Sequence, residues 1–385
     1  MRERFLSHNS DTKQRTRRLG PSPGLLCGLR RTVRGQHFDL HYHNAGASVN
    51  ALLFIVSLAL IFVGSSLFTN GVEWIGRKFN LSEGVVGSVL AAVGTALPET
   101  IVPLIAIFFV AGTTGQDVGI GAILGAPFML GTLALFITGM AVLILRRRRV
   151  MGAQIKFDSQ ITRRDLSVFF LVYLGAVIVA FIAPQQTKAL IAPLFVVIYV
   201  VYVWRVFKTG KGASDAPSQP LTLDSWAARL KSVTARQTPS LRLVLGQTAL
   251  SLVLIIVGAQ LFVNQIVSLA EQLHASAMLL ALVISPIATE LPEKLNSVLW
   301  VSQGKDALAL GNITGAMVFQ SCIPVAFGVA FTSWVLGPIE LISAVIALTA
   351  GLWVCVLAAR AKLTAQALIF NGVLYLLFLA VVLRG

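Results

Sequence analysis

Two sets of five apolar runs, separated by a polar stretch, dominate this chain of 385 residues. The runs lie near 49–70, 82–112, 117–144, 165–183 and 187–206, then near 243–268, 275–303, 307–333, 337–359 and 363–383. Each is long enough to cross roughly 30 Å of hydrocarbon as a helix. Lipid offers the backbone no hydrogen bonds, so such spans must be helical rather than open strands. Because five is odd, the second set must enter the membrane from the side opposite to the first. Only 12% of residues are charged, against about 25% in a soluble domain. The expected fold class is therefore an all-α membrane protein of about ten transmembrane helices in two inverted five-helix repeats.

The loop charges agree with that inversion. With alternate loops assigned to one face, that face carries Arg77, Lys78, Arg146 to Arg149, Lys156, Arg163 and Arg164. It also carries Lys208, Lys211, Arg229, Lys231, Arg236, Lys305, Arg360 and Lys362, whereas the opposing loops carry little beyond Lys188. The positive-inside rule makes the first face cytoplasmic. The net charge of +15 is thus accounted for by topogenic loops and the N-terminal segment, where basic residues meet anionic lipid, and calls for no nucleic-acid partner.

One stretch of sequence occurs in both sets. Val63 to Glu99 aligns without a gap on Val257 to Glu293, with 11 of 37 positions identical, among them Gly64/Gly258, Asn70/Asn264, Thr95/Thr289 and Glu99/Glu293. Arg77-Lys78 of the first copy aligns with Glu271-Gln272 of the second, so the copies have exchanged their topogenic charges. Both copies close on Leu-Pro-Glu. Proline removes a backbone donor and clashes with the preceding turn, so the helix breaks just before the glutamate. Carbonyls freed by the break, around Ala91 to Thr95 in the first copy, can serve a cation where they line a cavity. A carboxylate within an apolar span is costly and marks a functional site. An inverted pair of such helices would set Glu99 and Glu293 face to face near the midplane. Two facing carboxylates at low dielectric need positive charge between them, whether a divalent cation, sodium ions or protons. A Ca2+ ion takes roughly six to eight oxygens.

Each copy is followed by a glycine-rich span with small-xxx-small spacing, Gly121/Gly125 and Gly311/Gly315, which lets helices approach closely. In the second, Asn312, Ala316 and Gln320 lie four apart and share one helix face. Their amides are candidate neutral ligands or interhelical hydrogen-bond groups. The matching positions of the first, Ala122, Ala126 and Leu130, are apolar.

These motifs resemble those of the cation/calcium exchanger superfamily, in particular the sodium/calcium exchanger membrane region, in a divergent bacterial-type member. The resemblance runs from about residue 48 to the C-terminus and implies an exchanger-like arrangement of two inverted repeats. It implies metal-ion ligation by Glu99 and Glu293, with Thr95 and Thr289 as accompanying oxygens. The family's serine after threonine is Ala96 and Glu290 here, its later serine is Ala126 and Ala316, and its final amide or acid is Leu130 and Gln320. Those changes put sodium coupling in question, whereas Gln320 resembles the proton-coupled branch. Glu290 and Lys294 depart from the pattern: spaced i, i+4, they can form an ion pair, Glu290 can be a third cation ligand, or Lys294 can act as a tethered cation.

The expected organisation is a basic, disordered N-terminal extension (1–47), a first exchanger repeat (48–207), a cytoplasmic linker (208–240) that can hold a short surface helix near 222–235, and a second repeat (241–385). The extension contains a local cluster, His37, Asp39, His41 and His43. The cysteines (Cys27, Cys322, Cys355) show no metal-ligand spacing and no disulfide framework. The expected function is secondary antiport of Ca2+ or a related cation against Na+ or H+, by alternating access at the paired glutamates. The alternative is a cation channel or a non-transporting, ion-sensing membrane protein, although no repeated pore-loop filter is present. An intramembrane enzyme is not expected, because neither His-Glu-x-x-His nor Gly-x-Ser-x-Gly occurs. No cofactor is implied. The expected partners are inorganic cations and the lipid bilayer, the location is a multi-pass place in the plasma (inner) membrane, and the chain can act as a monomer.

Overall fold

In this computed structural model, residues 25–79, 96–182, 184–209, 220–230 and 238–384 are described. The chain divides into one unit of Met1–Ala51 and a second of Leu52–Gly385. Helix α1 (Leu25–Lys78) supplies the first apolar span over Asn50–Lys78. Residues 25–49 are also helical, where composition suggests a disordered extension. No proline follows Pro23 in this stretch, and lengthening an existing helix needs no new nucleus. The His37, Asp39, His41 and His43 side chains lie outside the described residues.

The first half continues with α2 (Leu97–Phe109), then α3 (Gly112–Met129), a π-helical turn (Leu130–Ala134) and α4 (Leu135–Leu145), which together make one long span. Helices α5 (Ser159–Ile182) and α6 (Gln185–Thr209) complete it. A short helix α7 (Thr222–Leu230) occupies the linker. The second half comprises α8 (Leu241–Leu273), α9 (Ala277–Thr289), α10 (Leu291–Ser302), α11 (Asp306–Phe331), α12 (Pro338–Ala359) and α13 (Ala365–Val382). Ser240, Ser276 and Thr364 cap α8, α9 and α13 by accepting from the backbone N–H three residues on.

Among the described residues, eight helical stretches are long and apolar enough to cross a membrane, while α2 and α9 are shorter apolar helices. Leu-Pro-Glu opens α2 in the first half and α10, directly after α9, in the second. In the second half the expected run 275–303 is divided into α9 and α10. In the first half α2 is the downstream piece, and residues 80–95 lie outside the described residues.

Packing follows the duplication. Helix α11 packs on α5 and α6 of the first half, while α3 and α4 pack on α12 and α13 of the second. Each half thus lends its third span to the other's last two, as an axis in the membrane plane requires. The two lent spans are the most enclosed: 83% of the apolar stretch of α11 is buried, against 28% for α1. Around them lie Phe128, Phe169, Tyr173, Met317, Trp334 and Phe378.

Glycines set two close approaches. A Cβ on Gly121 would lie 2.2 Å from Met278 O, and one on Gly125 would lie 2.2 Å from Leu282 O, so α3 rests directly on the backbone of α9. A Cβ on Gly64 would lie 2.8 Å from Ile255 Cγ1, and one on Gly258 would lie 2.9 Å from Leu60 Cβ. The repeated pair Gly64/Gly258 is therefore where α1 crosses α8.

Loop contacts respect the two faces read from the charges. On the basic face, Arg149 pairs with Asp306, both buried, and Asp306 also accepts from Lys156 N at 3.0 Å. On the same face Ser159 donates to Ala358 O at 2.7 Å. The linker helix is held there too: Asn70 Oδ1 accepts from Thr222 N at 3.0 Å and from Gln247 Nε2 at 2.9 Å, and Gln247 Oε1 accepts from Leu223 N at 2.9 Å. On the other face Lys188, the basic residue set apart by the charge pattern, is buried and donates to Ser333 O at 2.9 Å and Trp334 O at 3.1 Å.

Two stability results should follow. Gly125→Ala should cost about 1–3 kcal/mol through overpacking, read as a lower unfolding midpoint in detergent. Gly246→Ala, where nothing lies within 4 Å, should be neutral by the same measurement. Asp306→Asn should cost about 3–5 kcal/mol by leaving Arg149 buried and unpaired, with much of that loss recovered when Arg149 is neutralised as well.

Candidate cation site

The two Leu-Pro-Glu segments start their helices in the same way. Helix α2 begins at Leu97 with Pro98 in its first turn, and α10 begins at Leu291 with Pro292 there. The preceding residues have matching backbones: Ala96 at φ −84° and ψ 8°, Glu290 at φ −86° and ψ 9°. In the second copy that bridge conformation ends α9 and starts α10 without a loop. Glu99 and Glu293 therefore occupy first turns, where the helix N-terminus favours negative charge. In the second copy, Pro286 and Pro292 have no N–H to give Leu282 O and Ala288 O, so these two carbonyls lack their usual helical partners on the approach to the junction at Glu290.

Glu99 is 2% exposed, and Glu290 and Glu293 are fully buried. The Glu99 carboxylate lies beside the Thr289 hydroxyl and within electrostatic reach of Lys294 and Glu290. The first copy's glutamate is thus brought to the broken segment of the second. Neither Glu99 oxygen has a hydrogen bond of proper geometry, and the Thr289 hydroxyl donates instead to Ser285 O at 3.0 Å. Lys294 Nζ stands 3.1 Å from Glu290 Oε2 and donates to Pro286 O at 3.2 Å. Glu293 is the residue before Lys294 on the same turn of α10.

Helix α11 packs against both α2 and α10. It carries Asn312 and Gln320, 2% and 0% exposed, whose amide oxygens and nitrogens are without hydrogen-bond partners. Their counterparts Ala122 and Leu130 are buried and apolar, and Leu130 opens the π-helical turn. Partnerless buried polar atoms are rare in folded proteins, and still more costly away from water. Among the described residues, no three His, Cys, Asp or Glu side chains converge closely enough to hold one ion. An ion here would instead take carboxylates together with neutral oxygens, as hard cations do. Thr95 lies outside the described residues.

A second buried carboxylate was not singled out from the sequence. Asp165 accepts from Tyr202 Oη at 3.0 Å and from Thr314 Oγ1 at 3.0 Å, and pairs with Arg164 at 2.9 Å. Thr314 is two residues from Asn312, so this network fixes the height and rotation of α11 beside the site. Its signal was present as an acid at the start of an apolar run, masked by the basic residues before it. Asn371, on α13, is likewise buried without an amide partner, and nothing in the structure assigns it a role at the site.

The chain is similar to a putative antiporter, CaxA, of Alkalimonas amylolytica, at 29% identity over 71% of this chain and 77% of the relative. It is similar to the sodium/calcium exchanger MaX1 of Methanosarcina acetivorans at 22% identity over 70% and 80%. Among solved structures, the fold matches an H+/Ca2+ exchanger, CAX, with TM-score 0.67, 16% identity and coverage of 87% and 82%. It also matches the sodium-calcium exchanger NCX_Mj with TM-score 0.57, 22% identity and coverage of 86% and 98%. The family model described as sodium/calcium exchanger protein matches residues 49–208 and 243–384, and so most of the chain. With its two matched Leu-Pro-Glu helix starts and the buried acids they carry, this multi-pass membrane protein belongs to the sodium/calcium exchanger protein family.

Proposed function

We propose that the protein is a secondary antiporter that moves Ca2+ or a related cation against Na+ or H+. The observation that carries this reading is the buried Glu99 carboxylate of the first copy brought beside Thr289, Glu290 and Lys294 of the second. Glu99 has two oxygens without hydrogen bonds, and Asn312 and Gln320 add unpartnered amides. Glu99, Glu293, Thr289, Asn312 and Gln320 form the proposed ligand set, with Glu290 as a third acid beside it. Between two acids in a low-dielectric interior, a cation removes the repulsion that would otherwise oppose ionisation.

Exchange follows from competition for that set. A carboxylate cluster left both charged and empty is unfavourable, so release of one cation is linked to arrival of another or of protons. The exchange of third spans between the halves leaves α1 and α8 at the periphery, crossing at Gly64 and Gly258. Tilting of this pair against the enclosed α3 and α11 would open the site alternately to each side. The relatives named for Na+/Ca2+ and H+/Ca2+ exchange support both coupling ions. Ala96, Ala126 and Leu130 supply no side-chain oxygen, which weakens the case for a full set of sodium positions.

The test is radioactive Ca2+ uptake into oriented vesicles, driven in turn by a sodium gradient and by a pH gradient. The wild-type protein should respond to at least one. Glu99→Gln and Glu293→Gln should each cost about 3 kcal/mol or more of cation binding, over a hundredfold in affinity at about 1.4 kcal/mol per tenfold. Both variants should still elute as folded protein. Gradient-driven uptake retained by the double variant would overturn the assignment, and unitary currents in a planar bilayer would point to a channel instead.

A further inference from the structure

Lys294 has no counterpart in the first copy, where the aligned residue is Thr100, and its ion-pair partner Glu290 aligns with Ala96. The pair therefore adds one negative and one positive charge to the second interruption alone. Both side chains are buried, at 7% and 0% exposure, so neither charge is compensated by water. The ammonium sits 3.1 Å from a carboxylate oxygen and 3.2 Å from the Pro286 carbonyl. It is also the cation within electrostatic reach of Glu99.

A carboxylate and a main-chain carbonyl at a helix interruption are the oxygens an alkali cation would take in such a place. The ammonium is seated between an acid oxygen and a main-chain carbonyl oxygen, as a free cation in that place would be.

From this arrangement we infer that the Lys294 ammonium is a built-in monovalent cation. It occupies a position formed by Glu290 and the Pro286 carbonyl and takes the place of a free monovalent ion there. The inference rests on reading the region as a cation site. Lys294 is then a specificity residue: it removes one alkali-ion position from the site while leaving the charge of Glu99 and Glu293 to the transported ion.

The test uses the purified full-length protein, unfolded thermally in NaCl, KCl, LiCl or N-methylglucamine chloride at equal ionic strength. The variants are Lys294→Met, which empties the position, and Glu290→Gln with Lys294→Met, which removes it. Lys294→Met should be destabilised in N-methylglucamine and should regain about 5 °C as at least one alkali cation saturates, with the concentration dependence of one bound ion. The wild type and the double variant should lack this component. The inference is overturned if Lys294→Met is equally unstable in all four salts, or if the double variant shows the same gain. Failure of both variants to fold in every salt would assign the pair to packing and overturn it as well. The readout is binding rather than flux, so failure of the antiport reading would be seen separately in vesicles.

Discussion

A polypeptide in hydrocarbon must satisfy its own backbone, and two helices of this protein open on proline in matched places, where that requirement is hardest to meet. Pro98 and Pro292 open the interrupted segments, and the residues before them, Ala96 and Glu290, share nearly the same backbone angles. Much of the rest of the molecule follows from sheltering these breaks. The most enclosed span, α11, lies against α2 and α10, and α3 lies on α9. The glycines at 121 and 125 allow α3 to reach the carbonyl-bearing backbone of α9 without intervening side chains. Non-helical backbone at that depth is tolerated only inside protein or along a polar cavity.

The acids are tied to the same constraint. A glutamate in the first turn after a break meets the positive end of a helix, which lessens the cost of burying it. The cost that remains is what supports the proposal that the cluster binds a cation. Elsewhere the chain satisfies its buried charges locally. Asp306 has Arg149 and the Lys156 amide, Asp165 has Tyr202, Thr314 and Arg164, and Lys188 has two carbonyls. At the site the Glu99 oxygens and the Asn312 and Gln320 amides have no such partners.

The duplication also shows how far sequence identity carries structural meaning. Gly64 and Gly258 keep one role, each pressed against the opposite helix of the α1/α8 crossing. Asn70 and Asn264 do not. The first is buried and holds the linker helix through Thr222 and Gln247, while the second is exposed and meets only Gln260 at 3.4 Å. The linker joins the halves once, so it can stabilise only one copy. The two alanines and the leucine that replace polar groups in the first copy are accommodated because that half packs on apolar partners.

Several features could be read from the chain before any coordinates. Apolar runs of membrane length, odd in number on each side of a linker, dictate inverted repeats because helices must alternate sides. Proline next to glutamate marks where α2 and α10 start, because a residue without an N–H fits the first turn of a helix. Tertiary structure decided which oxygens meet. Glu99 reaches Thr289, Glu290 and Lys294 rather than any group near it in sequence, and Asp165, which the sequence did not single out, holds α11 through Thr314. Spacing along a helix predicts neighbours within a turn or two. A site assembled from two halves nearly two hundred residues apart depends on how those helices pack, and that is set by close contacts such as Gly121 and Gly125 against α9, which no local pattern records.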